Sequence, residues 1–153
     1  MAHETGLTYV GLILLVDSIK EEVTPVLAKA RTMGITIKIM TGDAAAVAAV
    51  GYAIGLIDNP EKVITGMQFE FLNPNQQQKA VYEYSIFARI VPEQKLKIIT
   101  LLQGKNQVGY LGNGINDGPA LKAAHVRLVV QGAAYIARSA ADIILLKKFA
   151  YHY

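Results

Sequence analysis

Along the chain, apolar runs rich in β-branched residues alternate with stretches whose apolar positions recur every three or four residues. Leu7 to Val16 is the first such run and predicts a buried strand ending at Asp17. From Lys20 to Met33 the apolar positions Val23, Val26, Leu27, Ala30 and Met33 fall at helical spacing, with Pro25 near the helix start and Gly34 as its stop. Ile35 to Met40 predicts a second buried strand, closed by Thr41-Gly42-Asp43. Asp43 is placed to cap a helix from Ala44 to Ile54, stopped by Gly55.

The middle of the chain has weaker patterning. Asp58-Asn59-Pro60 predicts a turn, and Val63 to Phe71 predicts one or two short extended pieces around Gly66. Asn73-Pro74 has the form of a cap followed by proline at the first helical position, opening a helix to about Tyr84, with Gln76-Gln77-Gln78 on a solvated face. The pattern then predicts strands at Ser85 to Ile90, Gln107 to Leu111, Val126 to Val130 and Asp142 to Leu146. Helices are expected from Pro92 to Leu102, with Leu96, Ile99 and Leu102 inward and Gly104 as stop, from Asn116 to Ala124, and from Ala133 to Ala140. Strands alternating with helices imply βαβ units, hence an α/β fold with a Rossmann-like parallel sheet covered by helices on both faces.

Composition narrows the class without naming a function. At 153 residues, 52% hydrophobic and 18% charged, the chain is expected to form a single globular domain with a real core. The net charge of +3 is scattered, with no basic cluster among aromatics, so nucleic acid is not an expected partner. The absence of cysteine excludes disulfides and thiolate metal sites. Val10 to Val16 is too short to span a bilayer, and Met-Ala-His-Glu before it is not a basic leader, so a soluble chain without membrane insertion is expected.

Candidate chemistry collects in three loops that this topology puts on one sheet edge. Thr41-Gly42-Asp43 offers a hydroxyl and backbone N–H groups, the turn Val91 to Lys95 offers an ammonium, and Gly112 to Leu121 offers Asn113, Asn116 and Asp117 beside two glycines. Donors for equatorial oxygens, a cation and a hard-oxygen seat for Mg²⁺ are what phosphoryl transfer requires. Each residue also has a plainer reading: Thr41, Asn116 or Asp117 as a helix cap, Lys95 as a solvated side chain in a first helical turn.

Four motifs in order give these loops a family. Leu7-Thr8-Tyr9-Val10-Gly11 through Asp17 to Lys20, Ile39-Met40-Thr41-Gly42-Asp43, Ala88-Arg89-Ile90-Val91-Pro92-Glu93-Gln94-Lys95, and Gly112 to Leu121 resemble consecutive motifs of the phosphorylation domain of P-type cation-transporting ATPases. These belong to the haloacid dehalogenase-like group. Ala137 to Leu146 resembles the tract ahead of the family's next membrane helix, and the flavour is that of the magnesium- and proton-transporting branch. The resemblance implies a catalytic set of Thr41, Gly42, Asp43, Lys95 and Asn116, in which Thr41 and Gly42 hold phosphoryl oxygens, Lys95 neutralises the group and Asn116 bonds near it. It implies Asp117 and Asn113 at the metal, with Mg²⁺ held weakly here, ATP as the cofactor of a parent protein, and a place for this soluble domain on the cytoplasmic side of that parent's membrane.

The departures bear on activity. This sequence contains no Asp-Lys-Thr-Gly-Thr, the family's phosphorylated motif, and no nucleotide-binding insertion. Asn113 stands where the family has its first loop aspartate, Ala44 where asparagine is usual, and His125, Arg127 and Tyr135 where Asp, Gly and Asp are frequent. Asp17 could act as a nucleophile in a small phosphatase, but the resemblance assigns it to the Asp-Pro-Pro position. In the family, the strand bearing the phosphorylated aspartate lies between strands that this chain does possess. The resemblance therefore implies a partial phosphorylation domain over 1–153, inactive alone, its sheet completed by the remainder of a P-type ATPase or by another copy. The alternative is a stand-alone, catalytically dead binding module.

Overall fold

A computed structural model of the protein describes residues 8, 10–11, 19–43, 46–112 and 115–146. Helix α1 (Val23–Thr32) leads to β1 (Ile39–Met40), α2 (Ala46–Ala53), β2 (Val63–Thr65), α3 (Gly66–Phe71), α4 (Pro74–Glu83) and β3 (Ile86–Ala88). Then come α5 (Pro92–Gln103), β4 (Gly109–Gly112), α6 (Gly118–Ala123), β5 (Val126–Val130), α7 (Tyr135–Ser139) and β6 (Ile143–Leu145). All strand pairs among the described residues are parallel, in keeping with the alternating pattern. The described strands form two three-stranded sheets, ordered β1-β3-β2 and β4-β5-β6, rather than one. Among the described strands β1 and β4 are thus each an edge, and they lie on either side of a cleft.

Several elements differ from the sequence pattern for identifiable reasons. The apolar run Ile35 to Met40 contributes only Ile39 and Met40 to a strand, both half-buried, because β3 pairs with those two residues alone. Of the run Leu7 to Val16, only Thr8, Val10 and Gly11 are described. The strand expected there thus lies largely outside the described residues; of the three, Val10 is 95% exposed. Val26 and Met33, expected inward on α1, are exposed, while Val23 and Leu27 pack on the cluster of Ile54, Leu56, Ile57 and Ile86. The second extended piece expected around Gly66 is helix α3. Thr65 Oγ1 accepts from Gln68 N–H and Gln68 Oε1 accepts from Thr65 N–H, a reciprocal cap that outweighs the β propensity of Phe69 and Phe71.

Asn73 and Gln76 make the same reciprocal cap on α4, with Pro74 opening the helix. The three glutamines do not form a solvated face. Gln77 is buried and donates to Phe69 O at 2.9 Å, and Gln78 donates to Leu101 O at 3.1 Å. Together they tie α4 to α3 and α5. On α5, Ile98 and Ile99 are fully buried, one in each of two core clusters, whereas Leu96 and Leu102 are half-buried. Met40 packs against both clusters, so the short strand β1 is anchored at the point where the two cores meet.

Arg127 and Asp142 join β5 to the start of β6. Arg127 donates from its backbone N and its Nε to Asp142 Oδ2, both at 2.9 Å, and from its other guanidinium nitrogen to Oδ1. These bonds hold the Asp142 carboxyl at about 2, below its ordinary 3.8. A depressed folded value means the ionised carboxylate stabilises the fold above pH 3.8, and the contribution is lost as the pH falls through about 2. Urea unfolding from about pH 5 to about pH 2 should show a shallower loss of stability in Arg127→Ala than in the unmodified chain. Equal slopes would mean that solvent already screens this exposed pair.

Candidate functional site

A cleft of about 410 Å³ lies between β1 and β4, lined by Met40, Thr41, Gly42, Asp43, Lys95, Tyr110, Leu111, Gly112, Asp117 and Val130. Its lining comes from the carboxyl ends of both edge strands and the first turns that follow, where open α/β sheets place their ligand crevices. Of the seven candidates, Thr41, Gly42, Asp43, Lys95 and Asp117 meet here. Asn116 is exposed and not in the lining, because the single 3-10 turn Ile115–Asp117 carries it outward. Asn113 and Asp17 lie outside the described residues.

Each wall is held by backbone contacts. Thr41 N–H donates to Phe87 O at 2.9 Å, and Thr41 O accepts from Ile90 N–H at 3.0 Å, fixing the loop after β1 to the loop after β3. Asp43 O accepts from Arg89 N–H at 3.1 Å. Arg89 takes φ +52°, a left-handed conformation that costs a non-glycine residue about 1 kcal/mol or more. Within the loop, Thr41 Oγ1 accepts from Asp43 N–H at 3.0 Å and donates to Asp43 Oδ2 at 3.3 Å. Lys95 stands in the second turn of α5, whose start is set when Gln94 accepts from Val91 N–H and donates to Gly66 O, both at 3.1 Å.

The opposite wall centres on Asp117, which is 6% exposed. Its side chain makes no capping bond to α6, so the plainer reading of a helix cap does not hold. Lys95 Nζ donates to Asp117 Oδ1 at 2.8 Å, and the Lys95 side chain is only 15% exposed rather than solvated. Tyr110 Oη donates to the same Oδ1 at 2.7 Å. A Cβ at position 112 would lie 2.9 Å from Asp117 Cβ and 3.2 Å from Tyr110 Cε1, so glycine is what lets the aspartate and the tyrosine meet. Burial, and then the bond to Asp117, push the Tyr110 phenol well above its ordinary value, so it remains a donor.

Tyr110 is the site residue that sequence reasoning missed. Its position in an apolar strand reads as core, and its ring does pack with Ile99, Leu121 and Val129. The one available signal was a phenol on the inward face of a strand two residues before a glycine loop that carries a carboxylate.

The family model for haloacid dehalogenase-like hydrolases matches residues 2–125. Magnesium-transporting ATPase, P-type 1, of Escherichia coli K12 is 42% identical over 149 residues, 96% of this chain and 16% of that protein. The protein of the same name from Salmonella typhimurium 14028s is 43% identical over 95% of this chain and 16% of its own length. A probable cation-transporting ATPase F of Mycobacterium bovis is 36% identical over 92% of this chain, again 16% of that protein. The chain thus spans about one sixth of the length of these relatives. Among solved structures, the catalytic domain of a CPx-ATPase superposes with a TM-score of 0.59 at 24% identity, over 82% of this chain and 40% of that one. A zinc-transporting PIB-type ATPase gives the same score and identity over 82% of this chain and 16% of that one, a likeness of fold. The α/β fold, the order of the loop motifs and these matches agree: the chain belongs to the haloacid dehalogenase-like hydrolase family and is homologous to one stretch of the P-type cation-transporting ATPases.

Proposed function

We propose that residues 1–153 are the later part of the phosphorylation domain of a P-type cation-transporting ATPase, and that the cleft between β1 and β4 is its phosphoryl site. The observation that carries this is the convergence of Thr41, Gly42, Lys95 and Asp117 from separate loops on one cleft. In the complete protein, an aspartate oxygen attacks the terminal phosphorus of ATP, ADP leaves, and water later cleaves the acyl phosphate. This chain carries no Asp-Lys-Thr-Gly-Thr, so the attacking carboxylate belongs to another segment. The roles left to this chain are to bind and to neutralise. Thr41 and the backbone N–H groups of its loop donate to phosphoryl oxygens, and Lys95 offsets their charge.

The residues suit Mg²⁺ only in company. Among the described residues no three acidic or histidine side chains converge, so there is no cage made of protein alone. Asp117 supplies a hard carboxylate oxygen beside the anion site, and Mg²⁺ is held by one or two carboxylates together with phosphate and water. Asn113, neutral where the resembled motif has an aspartate, would keep that affinity low. When bound, the ion supplies charge neutralisation. The strand bearing the aspartate would lie along β1 and β4, provided by the remainder of the ATPase or by another copy of the chain. Within the parent, this domain would sit on the cytoplasmic side of a membrane. Among the described residues no helix is long and apolar enough to cross one.

The test is a titration of the chain with inorganic phosphate, with and without Mg²⁺, followed by NMR. Resonances of Thr41 to Asp43 and of Lys95 should move at millimolar phosphate, more with Mg²⁺ present, and Lys95→Ala should abolish the response. Loops that ignore phosphate would show that no anion site is assembled.

A further inference from the structure

Two donors share one oxygen of a buried carboxylate at the cleft. Lys95 Nζ and Tyr110 Oη both reach Asp117 Oδ1, at 2.8 Å and 2.7 Å. Only the first is a mobile charge. Lys95 lines the cleft and hangs on a flexible stem, whereas Tyr110 is 7% exposed, with its ring packed among Ile99, Leu121 and Val129. An oxyanion entering the cleft competes with Asp117 for the ammonium, since Lys95 is the lysine in its lining. Drawing Lys95 away withdraws its compensation from a carboxylate that is 6% exposed. A phenol already seated on the same oxygen, at the length of a charge-assisted bond, lowers the cost of that exchange.

We propose that Tyr110 is a positioning residue that holds Asp117 in place while Lys95 transfers from Asp117 to a bound oxyanion. The inference rests on the phosphoryl-site reading above. It concerns the hydroxyl alone, because phenylalanine would fill the same space in the core. Removing the hydroxyl makes Asp117 more dependent on Lys95, so the ammonium is held harder and released less readily.

Two measurements on the full chain test this, with Tyr110→Phe and with 3-fluorotyrosine placed at position 110 as a stronger donor. Without any anion, hydrogen exchange at Lys95 Nζ, followed by nitrogen NMR, should slow several-fold in Tyr110→Phe and quicken with the fluorinated side chain. With inorganic phosphate as the probe, Tyr110→Phe should bind about tenfold more weakly, the scale of one hydrogen bond to a charged group, and the fluorinated protein more tightly. A purely structural tyrosine would not give opposite signs in the two variants. Phosphate binding that is intact and equal in all three proteins would overturn the role of Tyr110 and leave the site reading standing. Phosphate binding absent from the unmodified chain would overturn the site reading, while Lys95 exchange still judges Tyr110: unchanged exchange in both variants overturns it. If Tyr110→Phe fails to fold, the fluorinated protein decides by the same two readouts.

Discussion

Replacing Lys95 by methionine should cost the fold about 2–3 kcal/mol, although the change keeps an apolar stem in the second turn of α5. The origin is Asp117. Its side chain is 9% exposed and that of Lys95 15%, so the pair is largely removed from water. Breaking such a pair from one side costs about 3–5 kcal/mol because a charge is left without compensation. The bond from Tyr110 at 2.7 Å reduces that figure here. Asp117→Asn should cost less, since the freed ammonium can turn into the cleft and be hydrated, whereas the buried carboxylate has no such path. The double variant Lys95→Met with Asp117→Leu should recover only part of the loss, because removing the charge pair also takes the Asp117 acceptor from the buried Tyr110 hydroxyl. Urea unfolding of the four proteins decides it. A Lys95→Met chain within about 0.5 kcal/mol of the unmodified one would show that the pair is effectively solvated.

Where the chain's own local chemistry dictates an element, the sequence pattern reads it well. The strand Val126 to Val130 is found at those bounds, and α4 starts on the cap at Asn73 with Pro74 behind it. The loops after β1 and β4 and the first turns of α5 were legible as one site because parallel topology puts strand ends on one edge. Legibility failed where a partner decides. Ile35 and Ile37 look like strand, yet only Ile39 and Met40 meet β3, so the length of β1 is set by Ile86 and Phe87 across the ladder. The helix at Gly66–Phe71 was hidden by its aromatics, though Thr65 and Gln68 carried the signal of a reciprocal cap. Tyr110 was missed because periodicity assigns a side chain to a face but says nothing of what its hydroxyl reaches. The split into two sheets was foreshadowed only through the family, as a strand expected between ones the chain possesses. No property of β1 or β4 alone announces a missing neighbour.

That split leads to the largest expected effect, self-association through the cleft. Ile39 and Thr41 direct their N–H groups to Ser85 O and Phe87 O, so by strand alternation the N–H and C=O of Met40 turn from β3 towards the cleft. Val108 O accepts from Val126 N–H, so Gly109 and Leu111 turn their backbone groups away from β5 in the same sense. Leu111, on the exposed side of β4, adds an apolar side chain 55% open to solvent. Two parallel edges with outward N–H and C=O groups and apolar flanks form a template for an added strand. Sedimentation of the isolated chain should therefore show association that grows with concentration. Leu111→Lys should suppress it, because a charge on an edge opposes pairing, and should leave the fold intact since the residue is exposed. In the unassociated protein, the amides of Met40, Gly109 and Leu111 should exchange quickly, while Tyr110, turned to β5, exchanges slowly. A synthetic extended peptide with the sequence of the relatives' aspartate-bearing strand should slow those three amides and disperse the association together. A chain that stays monomeric at high concentration, with Met40, Gly109 and Leu111 already protected and Leu111→Lys without effect, would show that the two edges satisfy their hydrogen bonds without an added strand.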